Sequence, residues 1–296
     1  PTRRSSDLPD EARAFDRHLL ARGLVLVLLD LVYMSGISGH LLIQVLYALG
    51  IGMIGLVVLR RLRPRVVLAL ALAWLLADEA ITTLVWDPHA AADAGSPVIA
   101  LFVGHWAGEP GRILYPALPW LAIMALGWVL GEHMSRWHAG QASTSPTRVL
   151  VVAGLASLAV FTLVRGLDGY GNMSLLRADA SLLQWLHVSK YPPSLAFVGL
   201  ELGLVMLILA GLLRIEARVP AQLDGPLLVF GQTALFFYVL HWLLLGLPAT
   251  ALGLSRSGGL GTTYLAAGAV LLVMVPLCRV YRRYARAHPH GWTRFV

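Results

Sequence analysis

A chain of 296 residues that is 57% hydrophobic and only 13% charged cannot be an ordinary water-soluble domain, which carries roughly 25% charge. Its net charge of +7 does not point to nucleic acid, because the arginines fall in short clusters between apolar runs. That pattern suits anionic lipid headgroups and the control of membrane topology.

A spanning helix needs ~20 predominantly apolar residues. Runs of this kind are Leu19–Ile37, Leu41–Leu59, Val66–Val85, Ile113–Leu130, Val149–Val164, Leu195–Leu213, Leu227–Leu247 and Thr262–Val280. The expected fold is therefore all-α, a polytopic transmembrane bundle of about eight spans. Pro97–Val103 is too short to cross and reads as a re-entrant or surface piece. The single cysteine, Cys278, lies within an apolar run and has no partner for an internal disulfide.

Eighteen of the 23 Lys and Arg residues fall on one side of these spans, in clusters such as Arg60–Arg65 and Arg279–Arg286. Only Arg112, Arg165, Arg177, Lys190 and Arg256 fall on the other. The positive-inside rule places both termini in the cytoplasm and the loops 86–112 and 166–194 outside. Residues 1–8, with the segment TRRSSDL at Thr2–Leu8, read as a translated adaptor rather than natural protein. The membrane domain then occupies 9–284 and a cytoplasmic tail 285–296. On that reading the natural start lies upstream, with an even number of further spans.

An ionisable residue inside a span costs ~2.5–3.5 kcal/mol on insertion scales, so each one asks for a function or a partner. Asp78 and Glu79 fall in the outer half of their span, and either mark its early end or face a site. Glu201 lies below the outer start of its span. Arg165 closes another, and the two form either a structural ion pair or part of a site. Asp30 sits alone near the midplane and reads as a cap or as the partner of a missing helix, its role open. His241 follows Phe236, Phe237 and Tyr238 on an aromatic helix, as a packing residue or a base. His105, His133 and His138 read as loop residues without metal-ligand spacing. No phosphate-binding glycine loop or GxSxG elbow occurs.

Three segments carry a resemblance. The first is Tyr115–Trp120 (YPALPW), with Gly127 and Gly131 spaced for close helix approach. The second is Ser189–Ser194 (SKYPPS), whose prolines make a stiff turn presenting Lys190 and Tyr191 at the membrane surface. The third is Phe230–His241 (FGQTALFFYVLH), read as part of one continuous helix. In this order, with Leu42–Gly55, they resemble the bacterial membrane proteins grouped with the heparan-α-glucosaminide N-acetyltransferase catalytic domain, from about Leu19 to Tyr284.

The resemblance implies transfer of an acetyl or other acyl group from cytoplasmic acetyl-CoA or another acyl-CoA to an extracytoplasmic sugar or glycan, in the bacterial inner membrane. It implies His241 as a catalytic base and Asp78 as a group orienting a histidine. Lys190, Tyr191, Arg165 and Tyr238 are implied to hold the acceptor or the cofactor's phosphates. Nucleic acid and metal have no place in this reading, and a homo-oligomer is compatible with it. Two departures stand out. Gln232 and Ala234 occupy positions where the family commonly has Arg and Pro. The family's first span, with its R-G pair and catalytic histidine, has no counterpart before Leu19. The competing reading is a transporter or lipid-handling protein without covalent chemistry.

Overall fold

The computed structural model of the chain describes residues 8–87, 89–216, 225–254, 259–288 and 291, and is mostly helical. The adaptor-like residues 1–7, most of the tail beyond 288, and Arg218, Arg256 and Arg294 from the charge count lie outside the described residues. Six helical stretches are long and apolar enough to cross a membrane, so the protein is a multi-pass membrane protein.

The chain divides into two compact units, Pro1–Arg214 and Ile215–Val296. In the first, α1 (Leu8–Leu28) passes through a π-helical segment, Leu29–Met34, into α2 (Ser35–Ser38). Strand β1 (Leu41–Ile43) then leads to α3 (Val45–Leu59) and α4 (Pro64–Thr82). Next come α5 (Pro97–Ala100), strands β2 (Trp106–Gly108) and β3 (Gly111–Ile113), and α6 (Ala117–His138). The unit continues with α7 (Pro146–Leu167), α8 (Leu182–Leu186) and α9 (Leu195–Glu216). In the second unit α10 (Pro226–Gln232) and α11 (Ala234–Ala251) precede α12 (Leu260–Ala287).

Every apolar run of the sequence is helical over most of its length, with instructive differences at the ends. The run beginning at Leu41 starts as a strand, leaving α3 only 15 residues long. At 1.5 Å per residue that is about 22 Å, short of a typical hydrocarbon core. α4 is long enough, but Arg65, Asp78 and Glu79 interrupt its apolar character. α6 continues two turns past Leu130, so His133 and His138 sit on a helix rather than in a loop. The helix expected over Leu227–Leu247 breaks at Thr233, whose φ of −125° departs from helical values and whose hydroxyl donates to the Val229 carbonyl at 2.8 Å.

The strands form a small sheet in the order β1-β3-β2, with β1 parallel and β2 antiparallel to β3. Apolar periodicity gives no warning of strands three residues long. Beneath them Ile43, Tyr47, Ala100, Trp106, Ile113 and Ala117 make one buried cluster. The short Pro97 segment packs into this cluster through Ala100 while Val98 and Phe102 stay exposed.

Asp30 is fully buried, and its Oδ2 accepts from the Gln44 amide at 2.6 Å. It thereby caps the start of α3, where first-turn N–H groups have no helical partner and the helix dipole favours negative charge.

Small residues set the helix crossings. A Cβ on Gly50 would lie 2.5 Å from the Gly23 carbonyl oxygen, which places α1 and α3 in backbone contact. Gly154 on α7 and Gly203 on α9 meet in the same way. Gly127 and Gly131 do not, since a Cβ on either would find nothing within 4 Å. The four-residue spacing is right, but that face of α6 has no helix against it. Gly50→Ala should therefore lower the detergent melting temperature by the equivalent of about 1–3 kcal/mol of overpacking. Gly127→Ala should leave it unchanged or slightly raised, as thermal unfolding by circular dichroism would show.

Candidate functional site

Two of the three motif segments converge. Pro116 leads into α6 and the Ser189–Ser194 turn leads into α9, so both proline-rich segments stand at helix starts. The second turn is closed by Ser194 N–H donating to the Ser189 carbonyl at 2.9 Å and by the Ser189 hydroxyl donating to the Pro192 carbonyl at 3.0 Å. Pro192 and Pro193 are buried beneath it, while Lys190 and Tyr191 are exposed. The turn thus leaves both side chains exposed.

Tyr115 and Tyr191 bring the segments together, with hydroxyls 3.1 Å apart and ring centroids 5.2 Å apart. Trp120 lies 4.9 Å from the Tyr115 ring and 6.3 Å from that of Phe197. The Lys190 ammonium rests 5.7 Å from the centre of the Tyr115 ring and 5.4 Å from that of Tyr191, within cation–π range. Beside this aromatic group opens a cleft of ≈ 310 Å³ between α6 and α9, lined among others by Trp120, Lys190, Phe197 and Glu201. Aromatic faces beside a cation and a carboxylate can hold a polyhydroxylated ring, stacking its C–H face and bonding its hydroxyls. Trp120 closes the first motif but was given no role there, and Phe197 was not expected in the site, because a lone aromatic in an apolar run looks like lipid-facing or core packing.

Arg165 and Glu201 do not form the expected ion pair. Arg165 is fully buried and ties down the loop after α7. Its Nη1 donates to Asn172 Oδ1 at 2.7 Å and to the Leu175 carbonyl at 2.9 Å. Its Nε donates to the Trp185 carbonyl at 3.3 Å, and its Nη2 to that of Gln184. With four donors so engaged, the guanidinium serves the loop and is not turned to the cleft. The rigid fork of arginine suits it to several acceptors at once.

Asp78 is buried on α4, where the Thr82 hydroxyl donates to its Oδ1 at 3.2 Å. No histidine contacts it among the described residues. Its neighbour Glu79 accepts from the Gly171 amide through Oε2, and the Tyr170 hydroxyl donates to the Leu76 carbonyl at 2.6 Å. The Gly171 carbonyl accepts in turn from Ala196 N–H at 2.9 Å. One loop residue therefore joins α4 to the start of α9, and α4 does not simply end at its acidic pair.

The remaining motif belongs to the second unit. His241 is half-buried on α11, with Nδ1 3.2 Å from the Phe237 carbonyl oxygen. A carbonyl only accepts, so in this bond Nδ1 carries the proton and Nε2 keeps its lone pair. The Phe237, Tyr238 and Trp242 rings lie 5.7, 5.5 and 5.7 Å from the imidazole. Gln232, at the break before α11, accepts through Oε1 from Arg282 at 3.3 Å and Arg286 at 3.1 Å.

The other histidines are tied locally: His133 Nε2 lies 3.1 Å from the Thr144 carbonyl and His138 Nδ1 2.7 Å from that of Met134. Burial, with a smaller contribution from Arg112, holds the His105 imidazole below its ordinary pKa. No group of three His, Cys, Asp or Glu able to hold a metal occurs among the described residues. No protein-family model matches the chain, and no curated protein or solved structure matches it.

The loop geometry gives a direct test of Arg165. Arg165→Met leaves the carbonyls of Leu175, Gln184 and Trp185 without their donor, at an expected cost of ~3–5 kcal/mol. Arg165→Lys should recover only part of that, because an ammonium cannot span the same fork. Limited proteolysis should cut both variants between 168 and 186 well below the melting temperature of the parent protein.

Proposed function

We propose that the chain is a multi-span acyltransferase of the bacterial cytoplasmic membrane, passing an acetyl or other acyl group from cytoplasmic acyl-CoA to a sugar or glycan on the outer side. The observation that carries this reading is the meeting of Tyr115–Trp120 and Ser189–Ser194 around one cleft, with Lys190 and Glu201 in its wall. Those are two of the three segments on which the resemblance to the heparan-α-glucosaminide N-acetyltransferase family rests. On this reading about eight helices cross the membrane, with α3 and α4 as the short and the polar members. Both termini are cytoplasmic, and the starts of α6 and α9 face outward.

Acyl transfer to a hydroxyl or amine needs a base to take the acceptor proton as the acceptor oxygen or nitrogen attacks the thioester carbonyl. It also needs donors for the oxyanion that forms before the coenzyme A thiolate leaves. His241 is the base: with Nδ1 bonded to Phe237, Nε2 is the nitrogen able to accept the proton. Tyr238, whose ring lies 5.5 Å from the imidazole, is the candidate within that unit to hold the donor thioester. Within the first unit, Tyr115, Tyr191 and Lys190 are the candidates to hold the acceptor. Asp78, hydrogen-bonded to Thr82, supports α4 and is not assigned a proton-transfer step.

Two experiments test the proposal. In a Cys278→Ser background, His89→Cys and Leu183→Cys should react in intact cells with an impermeant thiol reagent, and Leu62→Cys should not. The reverse pattern overturns the orientation. The protein extended to its natural start, in liposomes with labelled acetyl-CoA and a glycan acceptor, should transfer label. His241→Ala and His241→Gln should each reduce that rate by ~10²–10⁴, the usual worth of general acid–base catalysis, at unchanged melting temperature. An active glutamine variant assigns His241 to packing, and absence of transfer from the extended protein favours lipid handling without covalent chemistry.

A further inference from the structure

The wall of the cleft between α6 and α9 mixes two chemistries. Lys190, Trp120 and Glu201 bring polar groups to it, and Ile123, Val198 and Leu202 bring aliphatic surface. Glu201 is six residues into α9, about 9 Å along the helix. It shares a helical face with Val205, Ile208 and Leu212, spaced at i, i+4, i+7 and i+11. Those three are each more than half exposed, at 54%, 62% and 53%. Glu201 therefore heads a stripe that otherwise offers only aliphatic surface.

Two polar groups here lack partners. Glu201 is exposed, and among the described residues it makes no hydrogen bond or ion pair, even with Lys190 in the same cleft. The Trp120 indole nitrogen is buried with no acceptor. A buried donor left unpaired is costly, and of the unpaired indoles, which include Trp74 and Trp242, Trp120 is the one that lines this cleft. A free sugar would answer the polar groups and leave the aliphatic part of the wall without a partner. An amphiphile answers both.

We infer that the cleft takes its ligand from the bilayer: a phosphate-bearing lipid, with its phosphate at Lys190 and Trp120, a hydroxyl or ammonium of its head at Glu201, and its chain along Ile123, Leu202 and the exposed stripe of α9. This rests on reading the cleft as the acceptor site and narrows the acceptor to a lipid-borne one. An ammonium point charge and an indole donor suit a phosphate, and the chain needs no specific partner beyond aliphatic surface.

Native mass spectrometry of the full chain released from nanodiscs tests this without any assay of transfer. Discs hold equal parts phosphatidylethanolamine, phosphatidylglycerol and uncharged diacylglycerol, with polyprenyl phosphate added in a second series. The parent chain should retain one phosphate-bearing lipid in preference to diacylglycerol. Lys190→Met and Leu202→Trp should each cut retention about tenfold, corresponding to ~1.4 kcal/mol. Lys190→Arg should restore it, which excludes a mere folding defect. Displacement by polyprenyl phosphate identifies a lipid-linked acceptor. Persistence of the phospholipid identifies a resident membrane lipid and overturns the assignment of the bound lipid as acceptor.

Equal retention of diacylglycerol overturns it, as does displacement by glycerol phosphate alone or retention indifferent to both variants. Retention that follows these variants while no acyl transfer occurs would sink the acyltransferase reading alone. Transfer without retention would sink this inference alone.

Discussion

A backbone N–H or C=O in hydrocarbon has no water to bond, so a membrane chain must close every departure from helix with its own groups. This protein departs from regular helix often, within its apolar runs and in the loops that join them, and four of those departures are closed by groups of its own. Asp30 supplies the acceptor where α3 begins without a helical partner for its first amides. The Thr233 hydroxyl answers Val229 where α10 breaks from α11. The strands between α2 and α6 pair with one another. Arg165 collects the carbonyls of a loop that has little regular structure of its own. Three of these four devices use polar side chains of the kind that otherwise suggest an active site. In a membrane protein a buried charge therefore has to be tested for structural service before a catalytic role is assigned.

That test separates the polar residues cleanly. Asp30, Arg165 and Glu79 each have partners that account for their burial or placement. Glu201 and Lys190 do not form an ion pair with each other, yet both line one cleft beside an aromatic group. Function, on this reading, belongs to the polar groups the fold leaves unanswered. The two prolines of the Ser189–Ser194 turn matter because they are buried beneath it, holding Lys190 and Tyr191 outward.

The sequence made the helical class legible because lipid demands long apolar runs, and all of them are helices over most of their length. It also made half of the cleft legible, since Lys190 and Tyr191 precede a helix behind a double proline. What it could not show was partnership. Glu201 and Arg165 sit at similar expected depths, yet Arg165 turns to Asn172 and backbone carbonyls too local and irregular for any periodicity to reveal. Gly127 and Gly131 carry the right spacing for a close crossing, while Gly23 and Gly50, which make one, are far apart in sequence. Spacing reports the face of a helix, and only the tertiary arrangement decides whether anything lies against it. Trp120 was missed for the same reason.

The knot around Arg165 bears on how this protein can change over time. Three of its acceptors, at Leu175, Gln184 and Trp185, are main-chain carbonyls. Any amino acid supplies a carbonyl, so these bonds alone leave the three positions free, although Gln184 Oε1 also accepts from the Ala178 amide and Trp185 lies under the Arg177 guanidinium. Arg165 and Asn172 have no such freedom, because their side chains make the bonds. The loop's length is constrained as well, since a residue added between 172 and 184 shifts the carbonyls off the fork. The loop after α7 is thus free to vary in what it displays wherever no side chain is bonded, on a path anchored by Arg165 and Asn172 beneath it.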